Sequence, residues 1–260
     1  MKYSSISITS ELRTGIVTLA RPERRNALDD TMITELASAF RRLESDGKLR
    51  MIVLTGEGSS FCAGMDIGHL RKYSKLGKAA NLRDARGLMK LLRTISSLKK
   101  PVIAMVNGPA LGGGLGLSAA SDFCFASREK ALFGAPEVRL GFLPAVILTY
   151  LIKRMGEARA REFVIAGEIC DAAGAMEKGL VSELAADGKL RDTVMGFSER
   201  LSRSASPNSI AMIKGMFAGS HTLASPKGYE RAAKLNALSR TSADFKKGIG
   251  SFLARKKIEW

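Results

Sequence analysis

Apolar positions change rhythm along the chain, and the changes mark its elements. Residues Ile6 to Ala20 read as two short strands about a turn at Arg13-Thr14-Gly15, and Arg21-Pro22 breaks the second. Met32, Ile33, Leu36, Phe40 and Leu43 then fall at helical spacing behind Asp29 and Asp30, either of which can cap the first turn; Gly47 ends the helix. Met51 to Leu54 is wholly apolar and reads as a buried strand, followed by a loop from Gly56 to Gly64. A basic stretch leads into a helix from about Asn81 to Leu98, which Lys99-Lys100-Pro101 stops, and Val102 to Val106 is another buried strand. A glycine-rich turn, a helix and a strand at Phe123 to Ala126 follow.

From about residue 145 the rhythm is helical: 145–155, 157–166, 171–179, 188–203, 207–217 and two further segments, with one strand at Val181 to Leu184. Apolar strands alternating with amphipathic helices predict an α/β fold with a largely parallel core. The expected organisation is a core over residues 1–200 and a helical C-terminal region over 201–260, without repeats or low-complexity linkers.

Composition narrows the class. With 45% apolar and 25% charged residues in 260, the chain is ordinary globular protein, not disordered, coiled-coil or collagen-like. The longest uncharged stretch, Pro101 to Ser121, holds Asn107, two prolines and five glycines, so no transmembrane helix is expected. Three widely spaced cysteines, Cys62, Cys124 and Cys170, suggest neither a disulfide framework nor a metal knuckle, and MKYSSISITS lacks targeting character. A reduced, cytoplasmic protein is the expectation.

Forty-one Lys and Arg against 25 Asp and Glu give a net +16, which points to a polyanionic partner. Residues 201–260 hold 11 basic and 3 acidic residues, a net +8, and a second cluster runs Arg71, Lys72, Lys75, Lys78, Arg83, Arg86 against Asp84 alone. Only 6% of residues are aromatic and no nucleic-acid module accompanies the charge, so nucleic acid is not the expected partner.

Chemistry concentrates in the run from Pro101 to Gly116. A buried strand leads through Asn107-Gly108-Pro109 to Gly112-Gly113-Gly114 at a helix start, where unpaired N–H groups and close backbone approach suit a phosphate or an oxyanion. The spacing is not that of a dinucleotide turn, a P-loop or a nucleophile elbow, which leaves an oxyanion site or a tight packing turn. The loop Gly56 to Asp66 also follows a buried strand, and strand-ending loops of a parallel sheet open on the edge where ligands bind. Glu137 stands among apolar neighbours in Phe133-Gly-Ala-Pro-Glu-Val138; desolvation there suits a general acid/base, while an ion pair to Arg139 is the structural alternative. A metal or acid/base role for His69 would need partners, and the chain has only two histidines; Cys62 reads as a small buried residue, and Asp122 as a structural cap.

At these residues the sequence resembles the enoyl-CoA hydratase/isomerase (crotonase) family. The matching pieces are Arg21-Pro-Glu-Arg-Arg-Asn-Ala-Leu28, Gly58 to Ile67, Lys100 to Gly114 and Phe133 to Gly141, in order, together with Phe252 to Lys257. The resemblance implies a spiral of ββα units with a helical trimerisation region, a homotrimer or hexamer, and an acyl-CoA thioester substrate whose coenzyme A supplies the negative charge. No separate cofactor or metal is implied. By motif position the backbone N–H groups of Met65 and Gly113 form an oxyanion hole, with Glu137 as the acid/base. Arg25, Ala27, Ala63, Asp66, Ile67, Gly68 and Leu111 match positions lining the CoA site, and Arg255 or Lys257 would reach it from a neighbouring subunit.

One position departs from the pattern of the best-known hydratases, which use two glutamates: the first would stand where this chain has Gly116. A single glutamate is the arrangement of the family's Δ3,Δ2-enoyl-CoA isomerases. The run from Glu137 to Tyr150, however, looks like bacterial methylglutaconyl-CoA hydratase-like members, and Ala145-Val-Ile-Leu replaces a glycine-rich segment and should reshape the acyl pocket. The expectation is therefore a hydratase of α,β-unsaturated acyl-CoA, with the 3-methylglutaconyl type as the candidate substrate and the isomerase as its first rival. An RNA-binding protein using the basic tail is the rival from another class.

Overall fold

The structure, a computed structural model, describes residues 3–186, 188–218, 225–254, 256 and 258–260. The chain opens with a hairpin, β1 (Ile6–Glu11) and β2 (Thr14–Leu19), and continues through α1 (Asp30–Ser45), β3 (Met51–Gly56), α2 (Ile67–Ser74), α3 (Lys78–Ser97) and β4 (Val102–Val106). Next come β5 (Ala110–Leu111), α4 (Gly113–Ala120), β6 (Phe123–Ser127), β7 (Leu132–Gly134), α5 (Ala145–Met155), α6 (Glu157–Ile165), β8 (Ile169–Asp171), α7 (Ala172–Glu177) and β9 (Glu183–Ala185). Helices α8 (Leu190–Ser204), α9 (Pro207–Ala218), α10 (Pro226–Ser239) and α11 (Ala243–Leu253) complete it.

The main sheet has the order β1-β2-β3-β4-β6-β9, antiparallel only at its first pair. Wholly apolar strands end up inside it because both faces are covered. Ile52 and Leu54 of β3 face a core shared with Leu36 and Phe40 of α1 and Leu91 of α3; Met51 and Val53 face a second core with Leu190 and Val194 of α8. A small second sheet, β5-β7-β8, stands beside α4.

Local signals act where the sequence places them. The Asp29 side chain accepts the Met32 N–H at 2.9 Å and caps α1, whose spaced apolar residues are all buried. Asp122 is structural, as expected: it accepts the Val102 N–H at 2.7 Å and an ion pair from the buried Lys214 of α9. Three expectations change. The hairpin turn lies at Leu12-Arg13, with Leu12 left-handed at φ 53°, and Thr14 and Gly15 already belong to β2. The basic stretch is not merely a lead-in: it folds as α2 and the first turns of α3, with the basic side chains on the exposed faces. Finally, β5, β7 and β8, of two to three residues each, had no signature. No helix among the described residues is long and apolar enough to cross a membrane.

Candidate active site

Three stretches of chain are sewn side by side at the ends of β3 and β4. Ala63 donates its N–H to Arg25 O at 3.0 Å, Leu28 donates to Gly64 O at 2.7 Å, and Asp66 donates to Leu28 O at 2.8 Å. On the other flank, Cys62 donates to Pro109 O at 3.0 Å and Leu111 donates to Cys62 O at 2.9 Å. Loop 62–66 is thereby held between 25–28 and 109–111. Gly64 has φ +97°, a region L side chains avoid, and a Cβ there would lie 3.0 Å from Leu111 O and 3.6 Å from Gly113 N. The strand carrying Met65 therefore passes directly against the first turn of α4. Among the described residues the backbone N–H groups of Met65 and Gly113 meet no acceptor. Gly113 is the first residue of α4, so its open N–H sits at the positive end of a helix. Two free donors on adjoining backbones can hold one oxygen carrying developing negative charge.

Glu137 sits in the 3-10 turn Pro136–Leu140, just after β7 pairs with β5. Gly112 N–H donates to Gly134 O at 2.9 Å, which pins that turn to the start of α4. A Cβ at Gly112 would lie 2.7 Å from Glu137 Oε1, and Gly112 itself has φ +48°; only glycine lets the carboxyl rest there. Glu137 Oε2 is buried and has no hydrogen-bond partner, and burial pushes the carboxyl above the ordinary carboxylate range. The alternative of an Arg139 ion pair finds no support: among the described residues no ion pair includes Glu137. A buried carboxyl left unsatisfied beside two open donors is poised to exchange a proton.

The place of the absent first glutamate is filled rather than vacant. Gly116 N–H donates to Gly112 O at 3.0 Å, one turn along α4. A Cβ at Gly116 would overlap Ile147 Cγ2 and stand 3.2 Å from Leu92 Cδ1, and both of those side chains are buried.

The remaining expected positions gather about the same loop. Arg25 is exposed, Ala27 buried, Ala63 and Leu111 half-buried, and Ile67 and Gly68 exposed at the start of α2. Asp66 caps α2, accepting the His69 N–H at 3.0 Å, and meets Arg24 at 3.1 Å and Arg21 at 3.6 Å. Burial acts to raise its pKa, but the His69 N–H and the two guanidinium groups outweigh it and hold the carboxyl below the usual range. Arg255 and Lys257 lie outside the described residues.

Several contributors carry no sequence signal of their role. Asn26, wholly buried, accepts the Arg21 N–H at 2.9 Å and donates to Glu57 O and Ser60 O at 2.9 and 2.8 Å, fastening the two loops together. It lies inside the quoted Arg21–Leu28 motif, which was the available hint. His69 is buried, its Nε2 2.8 Å from Asp84 Oδ1 and its Nδ1 3.7 Å from Asp30 Oδ2, so it ties α2 to α3 and α1. Cys62 is fully buried and its thiol is pushed up to about 12, which removes it as a nucleophile.

A family profile described as Enoyl-CoA hydratase/isomerase matches residues 12–260. The chain belongs to the enoyl-CoA hydratase/isomerase family. The 2,3-dehydroadipyl-CoA hydratase of Escherichia coli K12 is 30% identical over 254 residues, 97% of each chain. The 1,2-epoxyphenylacetyl-CoA isomerase of the same organism is 32% identical over 258 residues, again 97% of each. A crystal structure of an enoyl-CoA hydratase from Shewanella pealeana superposes with a TM-score of 0.93 at 28% identity, covering 100% of this chain and 97% of that one. The α/β fold of this enoyl-CoA hydratase/isomerase family member is thus that of the crotonase structures, as expected, and its chemistry is that of acyl-CoA hydratases and isomerases.

Proposed function

We propose that the protein adds water across an α,β-unsaturated acyl-CoA using one glutamate. The observation that carries the reading is Glu137, half-buried, its Oε2 buried and unpartnered, resting on Gly112 beside the open N–H groups of Met65 and Gly113. The thioester oxygen accepts both N–H groups, which stabilise the enolate charge that builds on it; one such donor is typically worth about 3–4 kcal/mol. Glu137, protonated, gives its proton to the α-carbon from one oxygen. Its other oxygen takes a proton from the water whose oxygen bonds to the β-carbon. The C=C electron pair ends in the new C–H bond, and the carboxyl ends the cycle protonated as it began. The raised Glu137 pKa keeps that form available. Arg24 and Arg25, with the basic faces of α2 and α3, flank the loop and suit the phosphates of coenzyme A. Exposed Ile213, Phe217 and Leu238 on α9 and α10 suit burial against further copies of the chain, in a trimer or hexamer.

A second reading, double-bond migration between the β,γ and α,β positions, is favoured by the apolar filling of Ile147 and Leu92 where a second water-holding group would stand. There Glu137 starts as the carboxylate, takes a proton from the α-carbon and returns it to the γ-carbon. Mass spectrometry of crotonyl-CoA, 3-methylglutaconyl-CoA and 3-hexenoyl-CoA after incubation decides between them. Gain of one water, lost in Glu137→Gln, supports hydration; unchanged mass with the 3-hexenoyl double bond moved supports isomerisation. The pH profiles differ in sign as well. Hydration by the protonated carboxyl falls as pH rises through its raised pKa, whereas isomerisation by the carboxylate rises.

A further inference from the structure

Gly112 is the N-cap of α4 and Gly116 stands one turn further on, its N–H bonded to Gly112 O at 3.0 Å. The Glu137 carboxyl covers the first position and Ile147 of α5 covers the second. We propose that Ile147 is a specificity-determining residue that holds this site to a single acid/base group and limits water beside it. The inference rests on the reading of Glu137 as the acid/base for acyl-CoA.

The geometry is specific about the cause. Losing a side chain at 116 does not by itself close the site; an empty glycine face beside a buried carboxyl would be a natural seat for water. Such a seat needs room for one molecule and two or more polar partners, and Glu137 Oε2 offers one. Ile147 removes the room. Its Cγ2 overlaps the place of a residue-116 Cβ, Leu92 Cδ1 closes in at 3.2 Å, and Ile147 and Leu92 are 2% and 0% exposed. Every atom facing Gly116 from these two residues is hydrocarbon. The branch at the β-carbon of Ile147 matters most, because Cγ2 is the atom in conflict. Gly116 and Ile147 are consequently a matched pair: a carboxylate at 116 requires a smaller residue at 147.

The test measures kcat/KM for hydration of 2-hexenoyl-CoA and for isomerisation of 3-hexenoyl-CoA as functions of pH. The proteins are the wild type, Glu137→Gln, Ile147→Leu, Ile147→Ala, Gly116→Glu and Gly116→Glu/Ile147→Ala, each checked by circular dichroism and melting. Ile147→Ala should raise the ratio of hydration to isomerisation about tenfold, a share of what one general acid/base typically supplies. Ile147→Leu, which removes the branch at the β-carbon but keeps the volume, should move it the same way by less. Gly116→Glu alone should melt at lower temperature and lose turnover; the double variant should recover both and add a second ionisation to the hydration profile. A ratio within twofold of wild type in a folded Ile147→Ala overturns the proposal, and Ile147→Leu decides if the alanine variant does not fold. So does a Gly116→Glu single variant as stable as wild type. No Glu137-dependent turnover of either ester by the wild type would sink the acyl-CoA reading itself and this inference with it.

Discussion

Replacing Glu137 should separate activity from stability, and in opposite directions. Glutamine keeps the shape of the side chain but can neither give nor take the proton. Loss of one general acid/base group is worth about 10²–10⁴-fold in rate, or about 3–5 kcal/mol of barrier. Glu137→Gln should therefore lose at least about a hundredfold in kcat while its affinity for a saturated acyl-CoA changes little. Stability should move the other way with methionine, which fills the same space without a polar atom. Glu137 Oε2 is buried without a partner, and a polar group left so costs about 1–3 kcal/mol. Because the residue as a whole is only half-buried, about 1–2 kcal/mol is the expected gain, or roughly 2–8 °C in melting temperature for a chain of this size. The pH dependence has a definite sign. A carboxyl whose folded pKa is raised binds its proton more tightly folded than unfolded, so wild-type stability falls as pH rises from the ordinary glutamate range through the raised value. The advantage of Glu137→Met should accordingly be small below about pH 4 and grow as pH rises through that window. Calorimetric melting over a pH series, with steady-state kinetics on an enoyl-CoA, measures both effects. A Glu137→Met protein that melts lower than wild type across the whole series, or a Glu137→Gln protein within threefold of wild-type kcat, would refute the reasoning.

Other residues give further checks. Gly112→Ala places a methyl 2.7 Å from Glu137 Oε1 at a left-handed φ, so it should cost about 1–3 kcal/mol of stability and shift the carboxyl enough for about a hundredfold loss in kcat; melting and kinetics report both. Asp66→Asn removes the charge that holds Arg24 and Arg21 and should raise KM with a stability loss of about 1 kcal/mol. Since the Asp66 pKa is depressed, wild type loses this contribution as pH falls through the depressed value, and the asparagine variant should show no such loss in acid titration. Lys214→Met strands Asp122, whose side chain is 26% exposed, and should cost about 1–3 kcal/mol in urea unfolding, most of it restored in Lys214→Met/Asp122→Asn.

How far the sequence discloses this molecule depends on how local the signal is. The cap at Asp29, the wholly apolar β3 and β4, and the strand–glycine–helix run into α4 are written in neighbouring residues, so their identity is legible. Strands β7 and β8 hold three residues each, fewer than a period-2 pattern needs, and exist because β5 and α4 offer them partners. The charges of Arg71 and Lys72 obscured α2, whose only buried residue is His69. At the proposed site, Met65, Gly113 and Glu137 stand in the ordered motifs, and the structure brings their chain segments together. The pairing of Gly116 with Ile147 was not legible, since those residues lie far apart in sequence and meet only when α5 crosses α4.

The strand order of the main sheet also has a kinetic meaning. Each of β2, β3, β4 and β6 lies next to the main-sheet strand made before it, so a nascent chain can extend the sheet at its growing edge without reopening pairs already formed. Local pairing of this kind shortens the loops that must close at each step. The two backbone donors come together once residue 113 has left the ribosome, but the carboxyl waits for β7 to dock on β5 and for β8 to close over it. A truncated intermediate ending near residue 130 would therefore hold the two open N–H groups without the Glu137 carboxyl, a state that ribosome-bound chains of graded length would make visible.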